Sequence, residues 1–84
     1  MKKQEKVNNQ VELKDGKIAT IKEAVGQDQI RAHKMCKDDT DQVLFALMEL
    51  CVTIDGKEAY MSDFQNMPMK DFNKLSAAFA EINF

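Results

Sequence analysis

The chain has 84 residues, a formal charge of −2 and a pI near 5.3, which describes one small domain and argues against a general nucleic-acid binder. It is 44% hydrophobic and 31% charged, with two cysteines and one proline, so it is neither disordered nor a disulfide scaffold. A chain of this length buries roughly 60% of its unfolded surface, which favours a small module that works by binding over a large enzyme.

The charge is unevenly distributed. Residues 1–37 carry nine Lys/Arg against five Asp/Glu, a sum of +4; residues 38–84 carry three against nine, a sum of −6. Such a molecule is electrically polar if the two halves form separate faces, which opens a route to self-association. The start, Met1-Lys2-Lys3-Gln4-Glu5-Lys6, is basic but is followed by no apolar run of signal-peptide length. The longest apolar stretch, Val43 to Met48, is far short of the ~20 residues of a membrane span, so a cytoplasmic protein is expected, with no membrane partner.

In chain order, residues 1–9 read as a flexible polar arm and 10–84 as one domain of hairpin and helices. Asp15-Gly16, set between Val11-Glu12-Leu13 and Ile18-Ala19-Thr20-Ile21, predicts a β-hairpin. A two-residue turn would set Leu13 against Ile18. A three-residue turn with a bulge at Gly16 puts Val11, Leu13, Ala19 and Ile21 on one face, and that better apolar face favours it. A helix is predicted from Gly26 to Lys37, with Asp28 in its first turn and Lys34 and Lys37 in its last. Asp39 then reads as an N-cap, with Gln42 reaching back to it.

From Val43 to Ile54 only Glu49 and Thr53 interrupt the apolar residues, which predicts a long central helix stopped by Gly56. Ser62-Asp63-Phe64-Gln65 predicts a short capped helix, and Pro68 the first position of a final helix. In that helix Phe72, Leu75, Phe79 and Ile82 form an amphipathic stripe, with Ala77, Ala78 and Ala80 beside it. The expected class is therefore α+β: a small N-terminal hairpin followed by three to four helices, mainly helical.

No catalytic, metal or cofactor constellation emerges. Asp38, Thr40, Gln42 and Glu49 suggest a calcium loop, but Val43 occupies the position where Gly makes its sharp turn. One His and two separated Cys do not make a zinc site. A helix-turn-helix drawn over residues 62–80 has no Arg for phosphate contacts. Ser62 follows Met61, not the Asp of a phosphopantetheine carrier. His33 and Cys36 share a helix face, but no third residue orients them. Cys51 reads as a small buried hydrophobe.

Met61, Met67 and Met69 flank the last helix break, with Phe64 and Phe72 nearby. Two readings stand: these side chains pack the junction onto the core, or they form an adaptable groove for an apolar helix. On the second reading the candidate partner-binding residues are Phe64, Met67, Met69 and Phe72.

Several motifs follow one another here in a fixed order. They are Val11-Glu12-Leu13-Lys14-Asp15-Gly16-Lys17, Lys22-Glu23-Ala24-Val25-Gly26-Gln27-Asp28, Ile30-Arg31-Ala32-His33-Lys34-Met35, the acid-capped segment Asp41 to Cys51, and Met67-Pro68-Met69-Lys70-Asp71-Phe72-Asn73-Lys74-Leu75. Together they resemble the tail assembly chaperones of long-tailed bacteriophages and prophages, over about residues 10–83. The chain departs from that pattern after the central helix, where Asp55-Gly56-Lys57-Glu58-Ala59 replaces a longer polar segment. The resemblance implies a non-enzymatic protein of the host bacterial cytoplasm, absent from the mature virion. It implies binding to the helical tail tape measure protein, which is held soluble until the tail tube polymerises around it. It also implies a longer frameshifted product that recruits the tail tube protein. The competing reading is a small adaptor that binds one helical partner.

Overall fold

The computed structural model describes residues 9–37 and 39–84. Strands β1 (Gln10–Glu12) and β2 (Ile18–Ile21) form the expected hairpin, with Val11 opposite Ala19. Its loop is the three-residue one: Gly16 N–H donates to Leu13 O (2.9 Å), and Leu13 N–H donates to Lys17 O (2.8 Å). Gly16 takes φ +88°, a conformation that a side chain disfavours. This register buries Val11, Leu13, Ala19 and Ile21 together. The expected arm over residues 1–9 lies outside the described residues except for Asn9, whose carbonyl accepts from Ile21 N–H (2.8 Å) and prolongs the sheet.

Helix α1 (Gly26–Cys36) turns Asp28 and Ala32 inward. The Asp28 carboxylate accepts the N–H of Val25 (2.9 Å), filling one of the donors that a helix start leaves open. Ala32 is fully buried, and that small side chain lets α1 lie close against the helix that follows.

Asp39 caps a short 3-10 turn (Thr40–Gln42) by accepting from Asp41 N–H (3.2 Å). Gln42 donates its backbone N–H to Asp39 O (3.1 Å), but its side chain does not reach back; the side-chain oxygen accepts instead from Gln65 Nε2 (2.7 Å).

The main departure from expectation comes next. The predicted helix to Ile54 ends at Cys51: α2 is Val43–Cys51, and β3 (Val52–Ile54) follows with no loop between them. Gly56 is accordingly not a helix stop. With Asp55 at φ 54° and Gly56 at φ 78°, the pair forms a two-residue hairpin turn into β4 (Lys57–Glu58). Two positive φ values match the twist of the flanking strands, and Asp-Gly accepts them readily. The residues themselves allow a strand as well as a helix, and pairing with β2 selects the strand. Val52, Thr53 and Ile54 include three β-branched side chains in a row, and a continuous apolar run does not distinguish buried helix from buried strand.

The sheet is antiparallel in the order β1-β2-β3-β4. β3 pairs with β2 through Ala19–Ile54, Thr20–Thr53 and Ile21–Val52. Its inner face carries Val11, Ala19, Ile21, Val52 and Ile54; its outer face carries Thr20, Thr53 and Glu58. Asp55 completes the join, donating its N–H to Ile18 O (2.8 Å) and accepting from Ile18 N–H at its carboxylate (2.9 Å).

Helix α3 (Met61–Gln65) starts one residue before Ser62, and Asp63 holds its start by accepting Tyr60 N–H (2.8 Å). Helix α4 (Met69–Asn83) begins just after Pro68, which is its N-cap and not its first residue. The predicted stripe faces inward: Leu75 and Phe79 are fully buried, while Phe72 and Ile82 are half-buried. Phe72 stacks on Phe45 of α2 at 5.2 Å between ring centroids. Of the three alanines beside the stripe, Ala77 is exposed.

α4 also covers the edge of the sheet. Asp71 accepts the N–H of Lys14 (3.0 Å), and Lys74 Nζ donates to Glu12 O (2.9 Å). Two side chains three residues apart thus secure the hairpin, Lys74 occupying a carbonyl that an edge strand leaves open to another chain and Asp71 holding the loop beyond it.

Gly56→Ala is expected to lower stability by about 1 kcal/mol in urea unfolding, because Ala is strained at positive φ. Gly26→Ala, on ordinary helical φ with open space around it, is expected to be neutral or slightly stabilising. Asp71→Ala is expected to cost about 1–3 kcal/mol by leaving the Lys14 N–H without its partner.

Candidate functional site

The tips of both Asp-Gly hairpins and the α3–α4 junction meet at one end of the inner sheet face. Between them lies an open groove of about 350 Å³. Leu13, Ile54, Ala59 and Met67 line it with apolar atoms, and Pro68 stands beside them. Charged residues complete the lining: Asp15, Glu58, Asp63 and Asp71 against Lys17 and Lys57.

The lining is held from below and from the sides. Leu13 and Ala59 are buried in the core, and Phe64 lies beneath α3 at 1% exposure. Asp63 and Asp71 are oriented by the backbone N–H groups they accept. Asp15 is bound to its own turn, accepting from Lys17 N–H (3.2 Å) and pairing with Lys17 Nζ (3.7 Å). The walls are therefore preorganised on strands, a short capped helix and a proline, which lowers the ordering cost of binding.

The four predicted binding residues fall in different places. Met67 is half-buried and lines the groove. Met69, on the first turn of α4, is 77% exposed and packs on little of its own chain. Phe72 is turned toward Phe45. Phe64 is core, so its contribution to any docking surface is support and not contact. Met61 packs partly against the core, and its N–H donates to Glu49 Oε1 (2.9 Å). Leu13, Ile54 and Ala59 were not among the predicted site residues. Their signal was the second Asp-Gly turn, which returns the chain as β4 beside β3 and brings Ala59 into one groove with Leu13.

Among the described residues no Cys or His lines the groove. His33 is exposed and Cys36 half-buried, and among the described residues no hydrogen bond joins them. Burial, with the nearby Asp28 carboxylate adding to it, pushes the Cys51 thiol pKa up. Among the described residues no helix is long and apolar enough to cross a membrane. A larger concavity of about 420 Å³ lies where α2 runs into β3, lined in part by Lys22, Glu49, Thr53 and Tyr60. Tyr60 O–H donates to Glu58 (3.1 Å) at the edge of this surface, and that bond raises the hydroxyl pKa. A third, smaller hollow lies between the start of α1 and the end of α4. There Asn83 Oδ1 accepts Ala24 N–H (2.6 Å), while its buried Nδ2 has no partner among the described residues.

Comparison with protein-family models, with curated proteins and with solved structures finds no match to this chain.

Met69→Asp is expected to leave the urea midpoint within about 0.5 kcal/mol of the parent, because the side chain is on the surface. Phe64→Ala is expected to cost about 3–5 kcal/mol. Alkylation under native conditions should label Cys36 and spare Cys51. Because the folded thiol of Cys51 has the higher pKa, its contribution to stability is complete below the ordinary thiol pKa and falls as pH rises above it.

Proposed function

We propose that this protein is a non-enzymatic tail assembly chaperone of a long-tailed bacteriophage or prophage. It binds the helical tape measure protein in the host cytoplasm and keeps it soluble until the tail tube polymerises around it. The ordered motifs of residues 10–83 suggest the family, and the groove beside Met67 is the observation that carries the binding mode. An amphipathic helix presents apolar side chains at every third or fourth position. One of them fits a floor made by Leu13, Ile54, Ala59 and Met67, and the exposed Met69 extends the apolar contact past Pro68. Methionine suits a partner that offers many similar but unequal sites along its length. A small apolar contact repeated along one target holds by number and stays displaceable. The tail tube protein enters as a second partner, through a longer frameshifted product.

The test is co-expression with fragments of a tape measure protein encoded just downstream. The expected result is a soluble complex with many copies of this chain per fragment, and loss of that complex with Met69→Asp at unchanged thermal stability. A fixed one-to-one complex with an unrelated protein, together with no effect on tape measure solubility, would replace this reading with that of a single-partner adaptor.

A further inference from the structure

The hollow between the start of α1 and the end of α4 has a volume of about 160 Å³ and shares no lining residue with the groove. Leu47 of α2 and Phe79 of α4 line it, and both are buried. Two large apolar side chains in the same lining stand in water: Val25 is 64% and Phe84 83% exposed. Phe84 lies edge-on to Phe79 at 6.0 Å between ring centroids. Among the described residues no charged side chain lines this hollow, unlike the groove.

Its buried polar group is a donor that lacks an acceptor. Ala24 N–H donates to Asn83 Oδ1 (2.6 Å), which fixes the way the amide faces and leaves Nδ2 over. Nδ2 is buried and has no partner among the described residues. Such an orphan costs free energy until an acceptor reaches it. Beside it begins α1, an 11-residue helix whose first N–H groups find no acceptor inside the helix. The Asp28 carboxylate takes the N–H of Val25, and among the described residues no side chain takes that of Gly26.

Size and chemistry together define the occupant. Sites for whole small molecules run to about 300–1,000 Å³, whereas an apolar cavity of about 150 Å³ holds one ring. There is room here for one apolar side chain, and it has to bring a hydrogen-bond acceptor and no charge. The last turn of a helix offers both, because its final carbonyls have no partner within the helix. That end also carries partial negative charge, the opposite of the α1 start.

We propose that the hollow receives the C-terminal turn of a helix from a partner protein. One apolar side chain enters between Leu47 and Phe79, Val25 and Phe84 pack on the turn from the rim, and an open carbonyl accepts from Asn83 Nδ2. The Phe84 ring turns aside to admit it. This inference goes beyond the proposed function: groove and hollow have different linings, and neither test contains the other's ligand, so each fails separately.

Titration of the isotope-labelled full chain with N-acetyl-leucine methylamide, followed by amide NMR, tests it. The probe carries one apolar side chain and backbone carbonyls without charge. The expected result is a set of saturable shifts at the Gly26 amide and the Asn83 side-chain amide, with dissociation in the millimolar range. Gly26→Leu fills the hollow, since a Cβ at that position meets nothing within 4 Å. It should abolish the Asn83 shifts at unchanged melting temperature. Asn83→Asp keeps an acceptor for Ala24 N–H but replaces the orphan donor with an oxygen, and should weaken the probe by about tenfold or more.

No shift at either group with about 100 mM probe would overturn the proposal. So would unchanged binding by a folded Asn83→Asp variant, or benzene bound as tightly as the probe, because the acceptor would then contribute nothing. Shifts at the same groups that grow with the concentration of the protein alone would assign the hollow to a second copy and overturn it likewise.

Discussion

Residues 43–54 have to be buried on nearly every side, and the chain meets that demand by changing secondary structure in mid-run. As α2 the segment packs Ala46, Leu47, Met48 and Cys51 into the centre of the domain. As β3 it supplies an inner strand of the sheet, with Val52 against Ile21. A single helix of twelve residues would have needed cover around its whole circumference, more than the rest of an 84-residue chain can provide. Splitting the run lets the same side chains form both halves of the interface between helix layer and sheet. Every other element is arranged around that junction: α1 and α3 lie against α2, α4 lies against β1 and β2 and reaches α2 through Phe72 on Phe45, the first hairpin pairs with β3, and β4 pairs with the other edge of β3.

The groove is a consequence of this arrangement. Because β3 joins the first hairpin, two Asp-Gly turns reach the same end of the sheet, and the α3–α4 junction closes over the space between them. Its apolar floor is made by Leu13 and Ala59 at the edge of the core, with the half-buried Ile54 and Met67 beside them. Its charged lining is largely made of carboxylates with structural duties: Asp63 starts α3, and Asp71 secures the Lys14 N–H at the hairpin. Structure and surface chemistry are thus supplied by the same residues. A partner meets groups whose positions the fold has already determined.

Much of this was legible in the residues. The first hairpin, its bulge at Gly16, the start of α1 and the inward stripe of α4 follow from alternation, from Asp-Gly and from spacings of three and four. Met67, which the sequence sets beside the helix break, lines the groove. The α+β class was also legible, although two of its four strands were not. Of the two readings left open for Phe64 the structure shows core packing, which nothing in Ser62-Asp63-Phe64-Gln65 decides, because so short a helix does not indicate which side faces the core.

The sequence by itself determined the local events: where turns fall, where helices start, and which faces of the amphipathic elements must be hidden. Those depend on φ preferences, capping groups and periodicity within a few residues of one another. Tertiary structure alone decided that Val52–Ile54 is a strand, that Gln42 bonds to Gln65, that Phe64 is core, and that Leu13 and Ala59 share a groove with Met67. Each of these is a choice between locally acceptable alternatives. It was made by pairing with residues far along the chain, where the burial of one surface depends on what another surface offers it.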